Sequence, residues 1–170
     1  MRIFPRCLLE YSAAYITFGC PIRRKIQIVK IAIKNLQKKV CVSPAKVRKV
    51  VLKTLSLERA RYPLELSVTF VSDNKIKRLN KLYLGKNEAT DVLAFDLSGS
   101  GARSAVADII ISTDTASRQA RQYATSALFE VYLYLVHGLL HILGYSDDTE
   151  SGYLKMQKRC EYILNKLNLS

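Results

Sequence analysis

The chain has 170 residues, 49% of them apolar and 24% charged, with a formal net charge of +13. That length and apolar content support one domain with a real core and exclude a disordered chain. The charge is uneven: residues 1–87 carry 20 Lys/Arg against 4 Asp/Glu, whereas residues 88–170 carry 7 against 10. A basic half of this kind suits a polyanionic partner, RNA or DNA ahead of an acidic membrane surface.

Residues 1–21 form an N-terminal extension that is basic in front and partly apolar behind, interrupted by Glu10. It has no small-residue cleavage signal, so a secretory signal is not expected; a transit-type leader and an early start codon both fit. The globular domain is expected at 22–170. RRKIQIVKIAIKN (23–35) alternates basic and apolar residues, as a strand with one wet face does. SPAKVRKVVLKTLS (43–56) reads as a helix, with Ser43 as cap, Pro44 in the first turn, and Val47, Val50, Val51 and Leu55 in one apolar stripe. LELSVTFVS (64–72) is a second strand. Asp73 is then expected to cap a helix over 74–85, with Ile76, Leu79 and either Leu82 or Tyr83 inward, lysines outward and Gly85 as its stop.

TDVLAFDL (90–97) and AVADIIIS (105–112) read as strands joined by the flexible turn SGSGAR (98–103), hence a hairpin. A helix follows from about Thr113–Asp114 through ASRQARQYA. A more apolar helix covers about 126–143; Glu130, His137 and His141 interrupt its apolar run, which fits a buried helix better than a membrane span. The last helix, roughly 149–167, turns Tyr153, Met156, Cys160, Ile163 and Leu164 inward. The expected fold class is α/β (α+β): a single domain with a mixed four-stranded sheet packed by about five helices. Four cysteines, Cys7, Cys20, Cys41 and Cys160, form no CxxC pair or disulfide framework and read as reduced thiols.

VHGLLHILGYSDD (136–148) contains both histidines of the chain. On a helix, i and i+4 side chains share a face, so His137 and His141 can close on one cation. Gly144 can end the helix in a left-handed conformation and return the chain toward the metal. Asp147 then stands as third ligand, with Asp148 as the alternative if the turn differs by one residue. The other reading is a pair of core histidines. In HExxH hydrolases a glutamate general base follows the first histidine. Here that position is Gly138, expected to leave open space beside His137, and the peptidase mechanism is disfavoured.

These motifs resemble the YbeY family of metal-dependent endoribonucleases. The family pattern HGxLHLxGYDH corresponds to HGLLHILGYSD at 137–147. LNKLYLGKNEATDVLAF (79–95) is similar to LNxxYRxxxxxTDVLSF, VADIIIS (106–112) is similar to GDIxIS, and TASRQA (115–120) continues in register. The resemblance covers about residues 26–167. It implies a metal near a surface cleft, an RNA substrate, and a role in maturing the 3′ end of 16S ribosomal RNA and in ribosome quality control. It further implies the small ribosomal subunit as partner, no membrane, and a cytoplasmic location, or an organellar one if residues 1–21 are a leader.

Two departures stand out. The family's third histidine falls at Asp147, so the implied ligand set is His137, His141 and Asp147. Zinc is the expected ion, and two histidines with a carboxylate also suit Fe(II) or Mn(II). The carboxylate leaves the loaded site near about +1 rather than about +2, so an alkaline pH optimum is expected. The family's arginine falls at Leu84, which cannot stabilise phosphate charge; Lys81 or Lys86 are candidates to replace it, with Arg78 and Tyr83 as further RNA contacts. Thr90 and Asp91 either start a strand or hydrogen-bond a ligand from behind. Three functions are therefore expected in turn: a single-strand-specific endoribonuclease, a catalytically weakened RNA- or ribosome-binding factor, and a metal hydrolase of other substrates.

Overall fold

The computed structural model describes residues 29–60, 64–99 and 105–169. The N-terminal extension, the start of the first alternating stretch and most of the turn at 98–103 lie outside the described residues. The elements run β1 (Val29–Asn35), α1 (Pro44–Leu57), β2 (Leu64–Val71), α2 (Asp73–Leu84), β3 (Val92–Asp96), β4 (Ala105–Ser112), α3 (Thr113–Tyr123), α4 (Ala127–Ile142) and α5 (Glu150–Asn165). The fold class is the expected one: five helices on a four-stranded mixed sheet of order β1-β2-β4-β3. β1, β2 and β4 are parallel, and β3 runs antiparallel to β4, with Val92 opposite Ile111 and Ala94 opposite Ile109.

The period of two along the strands divides the core into two layers. Val92, Ala94, Ala107, Ile109 and Ile111 join the main core with α1, α4 and α5. Their neighbours Leu93, Phe95 and Ile110 face the other way, onto Val71 and Ile76 under α2. α4 is the central element: every residue from Glu130 to Leu140 is buried. Its fully buried Val131, Leu135, Leu139 and Leu140 each contribute about 1.5–3 kcal/mol of burial. Among the described residues no single helix is long and apolar enough to cross a membrane.

Local signals account for most helix ends. Ser43 accepts from Lys46 N and caps α1, Ser126 accepts from Phe129 N and caps α4, and Thr149 accepts from Gly152 N and caps α5. α2 corrects the sequence reading in two ways. Its N-cap is Ser72, and Asp73 is the first helical residue. The Asp73 carboxylate instead reaches across to α3, accepting from Ser112 Oγ at 2.5 Å, Thr115 Oγ1 at 2.7 Å and Arg118 Nη1. Nor do Leu82 or Tyr83 point inward: they are 72% and 60% exposed. Asn80 takes the buried place and donates to the Glu88 carbonyl at 2.9 Å, closing the turn that leads into β3.

Candidate metal centre

α4 crosses β3 and β4 at its glycine. A Cβ on Gly138 would lie 3.2 Å from both Ile109 Cγ2 and Val92 Cγ2. The expected open space beside His137 is therefore absent; Gly138 faces the sheet in close contact with two of its side chains. This contact sets the depth of the following turns and holds both imidazoles over the start of β3.

His137 and His141 lie one turn apart with Nε2 atoms 3.1 Å from each other and rings edge to face. Gly144 takes the left-handed conformation expected of it, φ +89°, and the chain turns back. Asp147 arrives with Oδ2 3.6 Å from His137 Nε2 and Oδ1 3.8 Å from His141 Nε2. All three side chains are at least nine-tenths buried, and one ligand atom from each lies within 4.8 Å of the others. Asp148 is exposed and hydrogen-bonds Ser146 Oγ at 2.5 Å, so the returning carboxylate is Asp147.

The spacing fits a cation. Tetrahedral bonds of about 2.0–2.1 Å place ligand atoms about 3.4 Å apart, and the three separations straddle that value. Both carboxylate–imidazole distances are too long for good hydrogen bonds, so the carboxylate converges on the imidazole pair without bonding to it.

Electrostatics agree with this. Burial, with His141 alongside, pushes His137 down to about 3, which leaves its imidazole neutral and able to donate a lone pair. Burial raises Asp147 above the usual carboxylate range despite the opposing pull of His141. Asp91, fully enclosed at the foot of β3, is pushed up to about 6 by burial, with the Asp147 charge adding to it, although Thr90 and Val92 N donate to it at 3.0 and 2.9 Å. A divalent cation among these groups would reverse the cost of the carboxylate charges.

Behind the ligands stands a brace that no local pattern announced. His141 Nδ1 donates to the Tyr145 carbonyl at 3.2 Å, which turns Nε2 toward the site. Tyr145 Oη donates to Glu58 Oε2 at 2.8 Å, and Arg159 Nε donates to Glu58 Oε1 at 2.6 Å. Arg159 also caps α1 through the Leu57 carbonyl at 3.2 Å. The loop carrying Asp147 is thus tied to α1 and α5. Partners separated by 87 and 101 positions leave no periodic signature; Tyr145, inside the motif, was the one available clue.

The candidate RNA contacts are elsewhere. Arg78, Lys81 and Tyr83 are exposed on α2, and Lys86 is half-buried just beyond it. The Tyr83 ring packs on Phe95 with centroids 5.2 Å apart. Leu84 packs onto the Val71, Ile76 and Leu93 cluster. Thr90 and Asp91 are buried ahead of β3, bonded to each other and to Val92.

Known proteins share this arrangement of chain. A family model described as Endoribonuclease YbeY matches residues 32–168. The Endoribonuclease YbeY of Syntrophus aciditrophicus is 42% identical over 126 residues, covering 71% of this chain and 78% of that protein. That of Desulforamulus reducens is 36% identical over 150 residues, covering 82% and 98%. A Thermotoga maritima protein solved in solution shares the fold, with a TM-score of 0.54 at 22% identity over 81% of this chain and 91% of that one. The chain belongs to the Endoribonuclease YbeY family.

Proposed function

We propose that this protein is a metal-dependent endoribonuclease that cuts single-stranded RNA, with His137, His141 and Asp147 as the ligands of one divalent ion, zinc first and Fe(II) or Mn(II) as alternatives. The observation that carries the reading is the convergence of two imidazoles and one carboxylate, buried together with one ligand atom from each within 4.8 Å of the others. When bound, the ion supplies Lewis-acid polarisation of a phosphoryl oxygen and acidifies water. The chain supplies the rest. His137 stays neutral because it is buried, Tyr145 fixes the orientation of His141, and Asp147 brings the one negative charge. Lysines and arginines of the basic half, Arg78, Lys81 and Lys86 among them, hold the RNA backbone, and the exposed face of Tyr83 offers a base a stacking surface.

The finer reading is maturation of the 16S ribosomal RNA 3′ end and ribosome quality control, with the small subunit as partner. It rests on family membership and the basic first half. The protein would act where its ribosomes are, in the cytoplasm, or in an organelle if residues 1–21 serve as a leader.

One observation favours the second reading, an RNA-binding factor with weakened catalysis. Leu84 stands where the family pattern has an arginine, and it is engaged in packing. Metal analysis with a single-stranded RNA cleavage assay on wild type, His141→Ala and Asp147→His decides. Bound metal and cleavage by wild type, both lost in His141→Ala, support the nuclease. Bound RNA without cleavage selects the binding factor.

A further inference from the structure

α4 and α5 leave a groove between them, a cavity of about 840 Å³. Of the three candidate ligands His137 lines it and His141 and Asp147 do not, so groove and metal centre meet at that one imidazole. Its walls are mainly apolar and aromatic, with Phe129 and Leu133 contributed by α4 and Tyr153 by α5. Gln157 and Asn165 add carboxamides that both donate and accept. Tyr132 also lines the groove; it is 2% exposed, and its Oη is buried without a hydrogen-bond partner. A buried hydroxyl left unpaired is rare in folded proteins. Glu161 and Lys46 both line the groove, so it carries one charge of each sign and accommodates a neutral ring.

We propose that this groove is a subsite for one unstacked nucleobase of single-stranded RNA, next to the bond that is cut. The inference rests on the endoribonuclease reading. A base held between Phe129, Leu133 and Tyr153 would stack on aromatic faces, which every base offers. The Tyr132 hydroxyl and the Gln157 amide would read its edge, as proteins do with splayed single-stranded bases. His137, shared by both compartments, sets the register: with the base in the groove, the attached phosphate lies over the three ligands. The groove then supplies both positioning and a preference for single strands, because a paired base cannot enter it.

The test is photo-crosslinking, which needs no cleavage. A short single-stranded RNA carrying 4-thiouridine at each position in turn is irradiated with the full chain in EDTA, and the crosslinks are mapped. Crosslinks to peptides containing Phe129–Leu133 or Tyr153–Gln157 from one RNA position are expected, with at least fivefold loss in Gln157→Trp, which fills the groove. An abasic residue at that position should lower wild-type kcat/KM about 10–100-fold and cause no further loss in Gln157→Trp, while Co(II) binding by that variant stays within twofold. Tyr132→Phe keeps the ring and should narrow the preference among the four bases. RNA that is cut but crosslinks only outside the groove overturns the subsite and leaves the nuclease reading standing. RNA that crosslinks in the groove but is not cut does the reverse. Equal cleavage of normal and abasic RNA also overturns the subsite.

Discussion

Two clusters of polar side chains sit close to the sheet, and they are opposites. Around Asp73, at the carboxyl ends of β2 and β4, every group has a partner. Ser112, Thr115 and Arg118 donate to its carboxylate, Asp73 N donates to Asp114 Oδ2 at 3.0 Å, and Lys39 pairs with Asp114 at 2.7 Å. Around Asp147 the carboxylate stands off from both imidazoles. Burial works to raise Asp73, and the bonds from Ser112, Arg118 and Thr115 outweigh it, so the carboxyl sits below its ordinary value. Asp147 and Asp91 are raised instead. A satisfied network holds helices together; a more deeply buried carboxylate that stands off from its neighbours is an offer to a ligand.

Cutting the second cluster should have the largest effect on activity. His137→Ala or Asp147→Ala is expected to remove bound metal and lower RNA cleavage about a thousandfold or more, with a folded circular dichroism spectrum. A variant that retains stoichiometric metal would erase the contrast between the clusters. Cutting the first should do the reverse: Asp73→Ala is expected to cost about 2–3 kcal/mol in urea unfolding, since it leaves Arg118 and two hydroxyls without their acceptor, while one metal per chain is still bound.

How much of this the sequence disclosed follows from how local each cause is. The two histidines were legible because helical spacing alone puts them on one face, and Gly144 because its left-handed turn is a glycine property. α4 was legible as a buried helix because apolar residues surround it. The roles of Asp73 and Leu82 were misjudged because they depend on α3 and on the exposed end of α2, which periodicity does not see. Gly138 was misjudged for the same reason: what a missing side chain leaves room for is decided by Val92 and Ile109 on two other strands.

The brace sharpens the comparison, because it is a satisfied network serving the candidate metal centre. Glu58→Ala should weaken Co(II) binding about tenfold, read from the visible spectrum of the titrated protein, and Tyr145→Phe should do so by less. Unchanged affinity in both would mean that the loop holds its shape without α1.

The smallest expected effect is a difference of sign in pH dependence. Asp73 and Asp114, the latter lowered chiefly by Lys39, have folded values below the unfolded one of 3.8. Their stabilisation is full above that value and is lost as pH falls through the lower folded values. Asp91, raised to about 6 from 3.8, costs the ion-free fold most above pH 6, and that cost disappears as pH falls through 6 to below 3.8. Asp91→Asn should therefore stabilise the EDTA-treated protein by about 1–2 kcal/mol near about pH 8 and by almost nothing near about pH 3. Equal gains at both would contradict the assignment of its burden to charge.

The contact of Gly138 with Ile109 and Val92 also limits which chemistries this scaffold can host. A glutamate placed after the first histidine, as a peptidase of the HExxH kind requires, would aim its carboxylate into two β-branched side chains rather than toward solvent and substrate. Installing that base requires Ile109 and Val92 to give way beneath the helix turn that carries His137. The fit of one helix against two strands thus works against a general base at that position.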